Sequence, residues 1–127
     1  METPTNPETV PPAEQQLNVV VSRATDDVVV LHVAGEIDLL TANLLGERVR
    51  EQFVPENRVL VLDLTGVSFM GSSGLAEIVS ASQANAAKLV LVATNRAVLR
   101  PLEATGLLSI LTIYDSVDDA VQGVQTS

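Results

Sequence analysis

Two short runs of branched apolar residues constrain the fold of this chain more than any other feature. They read RVLVLDL at Arg58–Leu64 and KLVLVA at Lys88–Ala93. Runs this continuous are typical of parallel strands covered on both faces, whereas half-exposed strands alternate apolar and polar residues. Between the runs, apolar residues recur with the spacing of one helix face, at Leu75, Ile78, Val79 and Ala86. The region therefore predicts a strand, a helix and a second parallel strand joined by a right-handed crossover.

The segments before this unit predict a hairpin. Leu17–Arg23 and Val28–Ala34 are rich in β-branched residues, and the turn-forming pair Asp26-Asp27 separates them, so we expect two antiparallel strands. Residues 35–39 are expected to form a loop. His32, the only imidazole in the chain, is expected on a strand face as a packed or half-exposed residue. A role as ligand or catalyst is not expected, because no cysteine or second histidine can join it.

Further helices are expected around the sheet. An apolar stripe at spacings of four residues predicts a helix over residues 41–53, and a second follows over 96–105 with Pro101 in its first turn or at a kink. Ile110–Ile113 is predicted as the last strand, and a final helix begins at a cap on residue 115 or 116. The order of elements predicts an α/β fold with a mixed sheet of about five strands and about four helices.

The first sixteen residues differ from the rest of the chain. They hold four of the six prolines and three glutamates but no lysine or arginine. Such a segment cannot bury enough apolar surface to fold, so the sequence predicts a disordered, Pro-rich acidic tail at residues 1–16. Residues 17–127 are expected to form one domain, as the length of the chain suggests.

Composition argues against several classes of function. Seven basic residues against sixteen acidic ones give a net charge of −9, and a nucleic-acid binder needs clustered basic residues to displace counterions. With no cysteine and one histidine, neither a metal site nor another cofactor is expected. No segment reaches the roughly 18–20 apolar residues of a membrane helix, and the N-terminus lacks a secretory signal. We therefore expect a cytoplasmic protein without membrane insertion.

The most unusual stretch lies between the first buried strand and the helix that follows it. Gly71, Ser72, Ser73 and Gly74 cluster where that helix should begin. One interpretation is structural: Ser72 or Ser73 caps the helix, and the glycines permit a tight turn. The other is functional, because the positive end of a helix favours a phosphate on a nearby hydroxyl.

Known catalytic motifs do not fit this stretch. A P-loop needs a lysine after its last glycine, and none follows Gly74. A nucleophile elbow reads Gly-x-Ser-x-Gly, and residues 71–74 are one residue short of it. His32 also precedes the serines, which is the wrong order for that family. The sequence therefore does not predict an enzyme with a serine nucleophile at this turn.

Three motifs taken together resemble the STAS domain of the bacterial anti-sigma factor antagonist type. They are GEID at Gly35–Asp38, VLDLTGVSFM at Val61–Met70 and SSGL at Ser72–Leu75. The resemblance runs from about Leu17 to Val124. It implies a β-sheet backed by four helices, which agrees with the order of elements above, and a partner-switching role in transcription regulation.

The resemblance also implies a mechanism. The unphosphorylated domain binds an anti-sigma factor that is also a serine kinase, and so frees a sigma factor. Phosphorylation of the serine at the helix start breaks that complex, and a serine phosphatase resets it. The family phosphoacceptor is the first serine of Asp-Ser-Ser-Gly-Leu, which corresponds to Ser72. Gly71 stands where the family has Asp, a departure that bears on kinase recognition rather than on partner binding.

The resemblance places seven residues at the partner surface. Glu36 and Asp38 match the family's Gly-Glu-Leu-Asp segment and are expected beside Ser72. From the residues alone, Asp38 is equally expected to cap the helix that follows it. The full set is Glu36, Asp38, Gly71, Ser72, Ser73, Gly74 and Leu75.

Two other functions stay open at this point. STAS-like domains also serve as structural subunits, for example in lipid-transport ABC assemblies, where the same surface would hold an ATPase subunit without phosphorylation. The second is a nucleotide-sensing module, for which Arg58, Arg96 and Arg100 are the candidates to neutralise phosphates. The chain is expected to be a monomer or a weak dimer, since an exposed hairpin edge can self-associate.

Overall fold

A five-stranded mixed sheet organises the chain in the computed structural model, which describes residues 16–126. The strands lie side by side in chain order. β1 pairs antiparallel with β2, and every other neighbouring pair is parallel. The strands are β1 (Leu17–Thr25), β2 (Val28–Ile37), β3 (Val59–Met70), β4 (Lys88–Val92) and β5 (Ile113–Tyr114). The predicted α/β fold, an N-terminal hairpin followed by βα units, is confirmed.

Helices cover the two faces of the sheet unequally. The helices are α1 (Ala42–Arg50), α2 (Ser72–Gln83), α3 (Arg96–Ala104) and α4 (Val117–Thr126), with a short 3-10 turn at Leu107–Ser109. The first three pack on one face over a core rich in leucine and valine. α4 packs on the other face against valines of β2, β3 and β4. Because α4 lies mainly over β3, β4 and β5, no helix within residues 16–126 covers that face of β1 and the end of β2.

Because side chains alternate between the two faces of a strand, the apolar run of β2 contributes to the cores on both sides of the sheet. Along β2, Val29, Leu31 and Val33 belong to the larger core, whereas Val28 and Val30 belong to the valine core under α4. Side chains two residues apart share a face of a strand, so His32 continues the α4 side. It lies beyond the cover of the helix and is half-exposed, as predicted.

The strands run further than the sequence predicts. Residues 35–37, expected in a loop, extend β2, and β3 continues six residues beyond Leu64 to Met70. The pairing is irregular there: two register shifts interrupt the β2–β3 ladder, after His32 and after Gly35. Gly35 has φ of +116°, which favours glycine. Apolar continuity ends where these irregularities begin, so the periodicity could not show the extension.

Two helix boundaries also differ from the prediction. α2 begins at Ser72, within the predicted helix start at residues 71–74, but it ends at Gln83 before the predicted Ala86, because Asn85 has φ of +58° and turns the chain toward β4. Ala86, predicted on the buried helix face, is therefore exposed in the turn. α1 ends at Arg50 instead of residue 53, although Phe53 still packs against the core from the turn that follows.

The last strand is displaced along the chain. Residues 107–109 form the 3-10 turn after Gly106, whose φ is +78°, and β5 pairs with β4 only at Ile113 and Tyr114. Ile110, predicted inside that strand, is exposed. The final helix is capped as predicted, because the Ser116 hydroxyl accepts a hydrogen bond from the Asp119 N–H at 3.0 Å.

The predicted tail at residues 1–16 lies outside the described residues except for Gln16. β1 begins at Leu17, the residue at which the sequence predicts the first strand. Within residues 16–126, no helix has the length and apolar character needed to cross a bilayer.

Candidate functional site

The ends of β2 and β3 meet at the start of α2 and fix its first turn, which we call the serine turn (residues 69–75). The Gly71 N–H donates to the Ile37 carbonyl oxygen at 2.8 Å, which ties the turn to the end of β2. The Gly71 carbonyl oxygen then accepts from the Gly74 and Leu75 N–H groups, both at 3.1 Å, and starts the helix. The turn is therefore held by backbone contacts, and its serine side chains are not needed for them.

Ser72 and Ser73 do not cap α2, so the structural interpretation of these hydroxyls is wrong. The residue in the capping position is Gly71, with no side-chain hydrogen bond, and Ser72 is already helical. Ser72 is exposed, whereas Ser73 is half-buried. Of the two, Ser72 is the hydroxyl open to another protein, and it lies where the N-terminal half-charge of a helix favours an anion.

The opposing loop after β2 is locked by Asp38 and Thr41. One carboxylate oxygen of Asp38 accepts from the Leu40 and Thr41 N–H groups at 3.0 and 3.2 Å, and its carbonyl oxygen accepts from Ala42. Thr41 is fully buried, donates to the Glu36 carbonyl oxygen at 2.8 Å and accepts from the Asp38 N–H at 2.9 Å. The Asp38 carboxylate therefore holds the loop that leads into α1. It does not cap the helix as expected, because the capping position is Thr41 and α1 has no side-chain cap hydrogen bond. The predicted helix over residues 41–53 starts at this threonine, and Thr41 occupies the capping position of α1.

Exposed apolar side chains flank the serine turn. Phe69 is 51% exposed. A Cβ atom added to Gly71 would lie 3.3 Å from the Phe69 ring. Leu39 and Leu40 are 87% and 50% exposed in the loop that follows Ile37. Clustered exposed apolar residues of this kind, beside polar groups, are typical of protein interaction sites. None of the three residues was predicted at the partner surface, because isolated apolar residues at a strand end or in a loop carry no periodic signal.

Gly71 is not required by its backbone conformation. Its φ and ψ of −93° and 177° are extended and open to any residue. An added Cβ would meet the Phe69 ring at 3.3 Å and the Ile37 carbonyl oxygen at 3.5 Å. Since the Phe69 ring is exposed and can turn, a larger residue at position 71 is compatible with the fold.

The other residues predicted at the partner surface differ in their exposure. Glu36 is exposed and pairs in register with Phe69, which brings it to the edge of the serine turn. Gly74 and Leu75 are buried. A Cβ on Gly74 would clash with the Ile37 side chain and the Met70 sulfur, so this glycine permits the close approach of α2 to β2. Both residues therefore hold the turn rather than face a partner.

The three arginines considered for phosphate binding do not assemble. The Nε of Arg58 donates to an Asp27 carboxylate oxygen at 2.8 Å at the opposite end of β3 from the serine turn. That bond is the main reason why the pKa of Asp27 lies below its ordinary value. Arg96 and Arg100 line a shallow groove of about 440 Å³ along α3, together with Leu99 and Glu103.

A five-stranded mixed sheet with an exposed serine at the start of α2 defines a small α/β domain. The chain belongs to the STAS domain family, whose sequence profile matches residues 19–120. The predicted family membership is thus confirmed.

Similar proteins support the same assignment. The chain is 35% identical over 100 residues to the anti-sigma-F factor antagonist RsfB of Mycobacterium tuberculosis, covering 77% of this chain and 82% of the relative. It is 35% identical over 100 residues to the anti-sigma-B factor antagonist of Listeria monocytogenes, covering 76% and 88%. The crystal structure of an anti-sigma factor antagonist from Mycobacterium paratuberculosis superposes with a TM-score of 0.80 at 31% identity, covering 90% of this chain and 97% of that one.

Proposed function

We propose that this chain is an anti-sigma factor antagonist that binds an anti-sigma factor with serine kinase activity and thereby frees a sigma factor. Ser72 is its phosphoacceptor, and a serine phosphatase restores the binding form. The observation that carries the proposal is the exposed Ser72 hydroxyl at the start of α2, next to exposed apolar side chains. The names of relatives at 35% identity support the antagonist role. The chain acts by binding rather than by catalysis in this proposal.

The partner surface is assigned to the exposed atoms around the serine turn. Leu39, Leu40 and Phe69 supply apolar contact area, and Glu36 supplies a rim charge. Asp38, Gly74 and Leu75 act indirectly, because their contacts fix the loop and the turn. A surface with an apolar centre and a polar rim matches the usual anatomy of a protein interface.

Phosphorylation of Ser72 breaks such an interface for two physical reasons. It adds about two negative charges and three strongly hydrated oxygens. Burying them against the Phe69 and Leu39 side chains forfeits hydration without supplying a cation in return. The α2 N-terminus stabilises the phosphate in the free protein, so the charge favours the unbound state.

The experiment uses the purified chain with the anti-sigma factors of its source bacterium, each tested by calorimetric titration with and without ATP. Wild type and Ser72→Ala bind one of them, and Ser72→Ala keeps binding after ATP is added, whereas wild type gains one phosphate by mass and is released. Ser72→Asp binds at least about a hundredfold more weakly, the range of a buried unpaired charge. Ser73→Ala is the matched control and behaves as wild type. Tight binding by Ser72→Asp would sink the switch.

The same titrations separate the alternatives. A structural subunit of a transport assembly would bind none of the anti-sigma factors and gain no phosphate. Gly71→Asp, which the extended backbone at position 71 accommodates, tests kinase recognition. If an Asp beside the acceptor helps the kinase, this variant is phosphorylated faster than wild type while its affinity for the partner stays the same. Size-exclusion chromatography with light scattering checks the expectation of a monomer or weak dimer.

A further inference from the structure

Three side chains from three adjacent strands form a hydrogen-bonded chain away from the serine turn. His32 Nδ1 lies 2.9 Å from an Asp63 carboxylate oxygen, and His32 Nε2 lies 3.0 Å from the Ser22 hydroxyl oxygen. The sheet register creates this contact. His32 pairs with Asp63 across the β2–β3 ladder and with Val20 of β1, and Ser22, two residues beyond Val20, is its diagonal neighbour on the same face.

Asp63 fixes the orientation of the imidazole. Its other carboxylate oxygen accepts from the Thr65 hydroxyl at 2.7 Å and from the Thr65 N–H at 3.1 Å, both supplied by the irregular stretch of β3 that follows. Burial alone would raise the pKa of Asp63, but the hydrogen bonds from Thr65 and His32 outweigh it, and the pKa lies below its ordinary value. The carboxylate therefore accepts hydrogen bonds only, so His32 Nδ1 is the donor to it, and in the neutral imidazole that N–H is the only one on the ring.

This tautomer leaves His32 Nε2 as a hydrogen-bond acceptor. The Ser22 hydroxyl, 3.0 Å away, is then the donor. A nucleophile within hydrogen-bond reach of a base, with the base held by a third group, is the general signature of an activated side chain. Ser22 is exposed, and the His32 side chain is 41% exposed, on the part of the sheet that α4 leaves open.

We propose that Ser22 is an intrinsically activated hydroxyl, a site at which this chain accepts an acyl group from small, unhindered activated esters. The Ser22 oxygen bonds to the ester carbonyl carbon while its proton passes to His32 Nε2. The carbon–oxygen bond to the alcohol then breaks, and the departing alcohol takes the proton from His32. The products are acyl-Ser22 and the free alcohol, so atoms and charge balance. This inference does not depend on the proposed antagonist function.

Ser68 provides a reference for the reactivity of Ser22 within the same molecule. Ser68 is also an exposed strand serine, but its hydroxyl donates to the Gly35 carbonyl oxygen at 3.3 Å, which cannot remove a proton at neutral pH. A positioned general base contributes about 10²–10⁴-fold to a proton-transfer-limited step. The ratio of labelling at Ser22 to that at Ser68 therefore measures activation within one molecule.

The test treats the full chain with a small alkyl fluorophosphonate, which reacts with activated serines by displacement of fluoride, and reads the labelled peptides by mass spectrometry. We expect Ser22 to be labelled at least about a hundredfold faster than Ser68, within the range for a general base. His32→Gln should lower that ratio to near one, and Asp63→Asn should lower it at least about tenfold, since Asp63 is a positioning residue. Ser22→Ala removes the fast label.

Unfolding of a variant cannot imitate the expected result. Loosening the sheet exposes both serines and raises labelling at Ser68 as well, so only loss of the base lowers the ratio while Ser68 stays constant. Circular dichroism melts confirm that each variant is folded. Equal labelling of Ser22 and Ser68 in wild type, or fast Ser22 labelling that persists in His32→Gln, would overturn the proposal.

Discussion

Ser72 and Ser22 are both exposed, yet their surroundings assign them opposite kinds of chemistry. Ser72 lies at the start of α2 in a turn held by backbone hydrogen bonds, and the phosphorylation that we propose for it would need a kinase to supply both the base and the phosphate. Ser22 has its own base, because His32 is oriented by Asp63. The two proposed roles therefore differ because of the neighbours of each serine and not because of exposure, since both side chains are exposed.

The largest expected effect tests where the partner binds, with two side chains of equal exposure. Phe69 beside Ser72 and Val20 beside Ser22 are each 51% exposed. If the apolar surface at the serine turn is the partner surface, Phe69→Ala weakens binding to the anti-sigma factor by about 2 kcal/mol, or about thirtyfold in Kd, as for an interface hot spot. Val20→Ala, the control, leaves the Kd unchanged. Titration calorimetry measures both.

The reverse pattern of affinities would contradict the assignment of the partner surface to the serine turn. A large loss of affinity in Val20→Ala with no loss in Phe69→Ala would move the partner surface to the open face of β1 and β2. Both side chains are exposed, so the free energy of unfolding should change by no more than about 0.5 kcal/mol in either variant. A change in the Kd of either variant can then be attributed to the binding surface and not to a loss of folded protein.

The two glycines of the serine turn give the next largest expected effect. Ala at position 74 gains helix propensity, but its Cβ collides with Ile37 and lies 2.8 Å from the Met70 sulfur. We expect Gly74→Ala to lower the free energy of unfolding by about 1–3 kcal/mol, the usual cost of overpacking a core. Gly71→Ala should change it by less than about 0.5 kcal/mol, since only the exposed Phe69 ring must adjust. Urea denaturation followed by circular dichroism measures both variants, and equal losses would contradict this account of the turn.

Much of the fold was predictable because burial leaves a periodic trace. The continuous runs at 58–64 and 88–93 predicted central parallel strands, and the hairpin followed from two β-rich segments around Asp26-Asp27. The errors lie where the trace stops. Ile110 and Ala86 are apolar but exposed, because left-handed residues Gly106 and Asn85 redirect the chain just before them.

The candidate sites show the same division. Ser72 was predicted from a local motif, but its lack of a capping role depends on the Gly71 backbone, which the sequence does not reveal. His32 was predicted as a half-exposed strand residue, yet its contact with Asp63 and Ser22 depends on the register of three strands. Register is set by the whole sheet, so no spacing along the chain could show that these side chains meet.

The smallest expected effect concerns the stability that Asp63 contributes. The pKa of Asp63 in the folded chain lies below its ordinary value of 3.8. A carboxyl with a lowered pKa contributes stability that is fully present above its unfolded pKa and is lost as the pH falls through its folded pKa. Asp63→Asn should therefore lower the free energy of unfolding at pH 7 by about 1 kcal/mol, the scale of one hydrogen bond. The difference from wild type should shrink as the pH falls below about 4.

A matched carboxylate at the serine turn sharpens this last contrast. Glu36 is exposed beside Phe69, so Glu36→Gln should change the free energy of unfolding at pH 7 by less than about 0.5 kcal/mol. If Asp63→Asn and Glu36→Gln gave the same change at pH 7 in urea denaturation, Asp63 would not anchor His32. An unanchored imidazole has no fixed tautomer, so the Ser22 hydroxyl would then lack a fixed hydrogen-bond acceptor. Ser22 and Ser72 would then differ only in the apolar side chains near them.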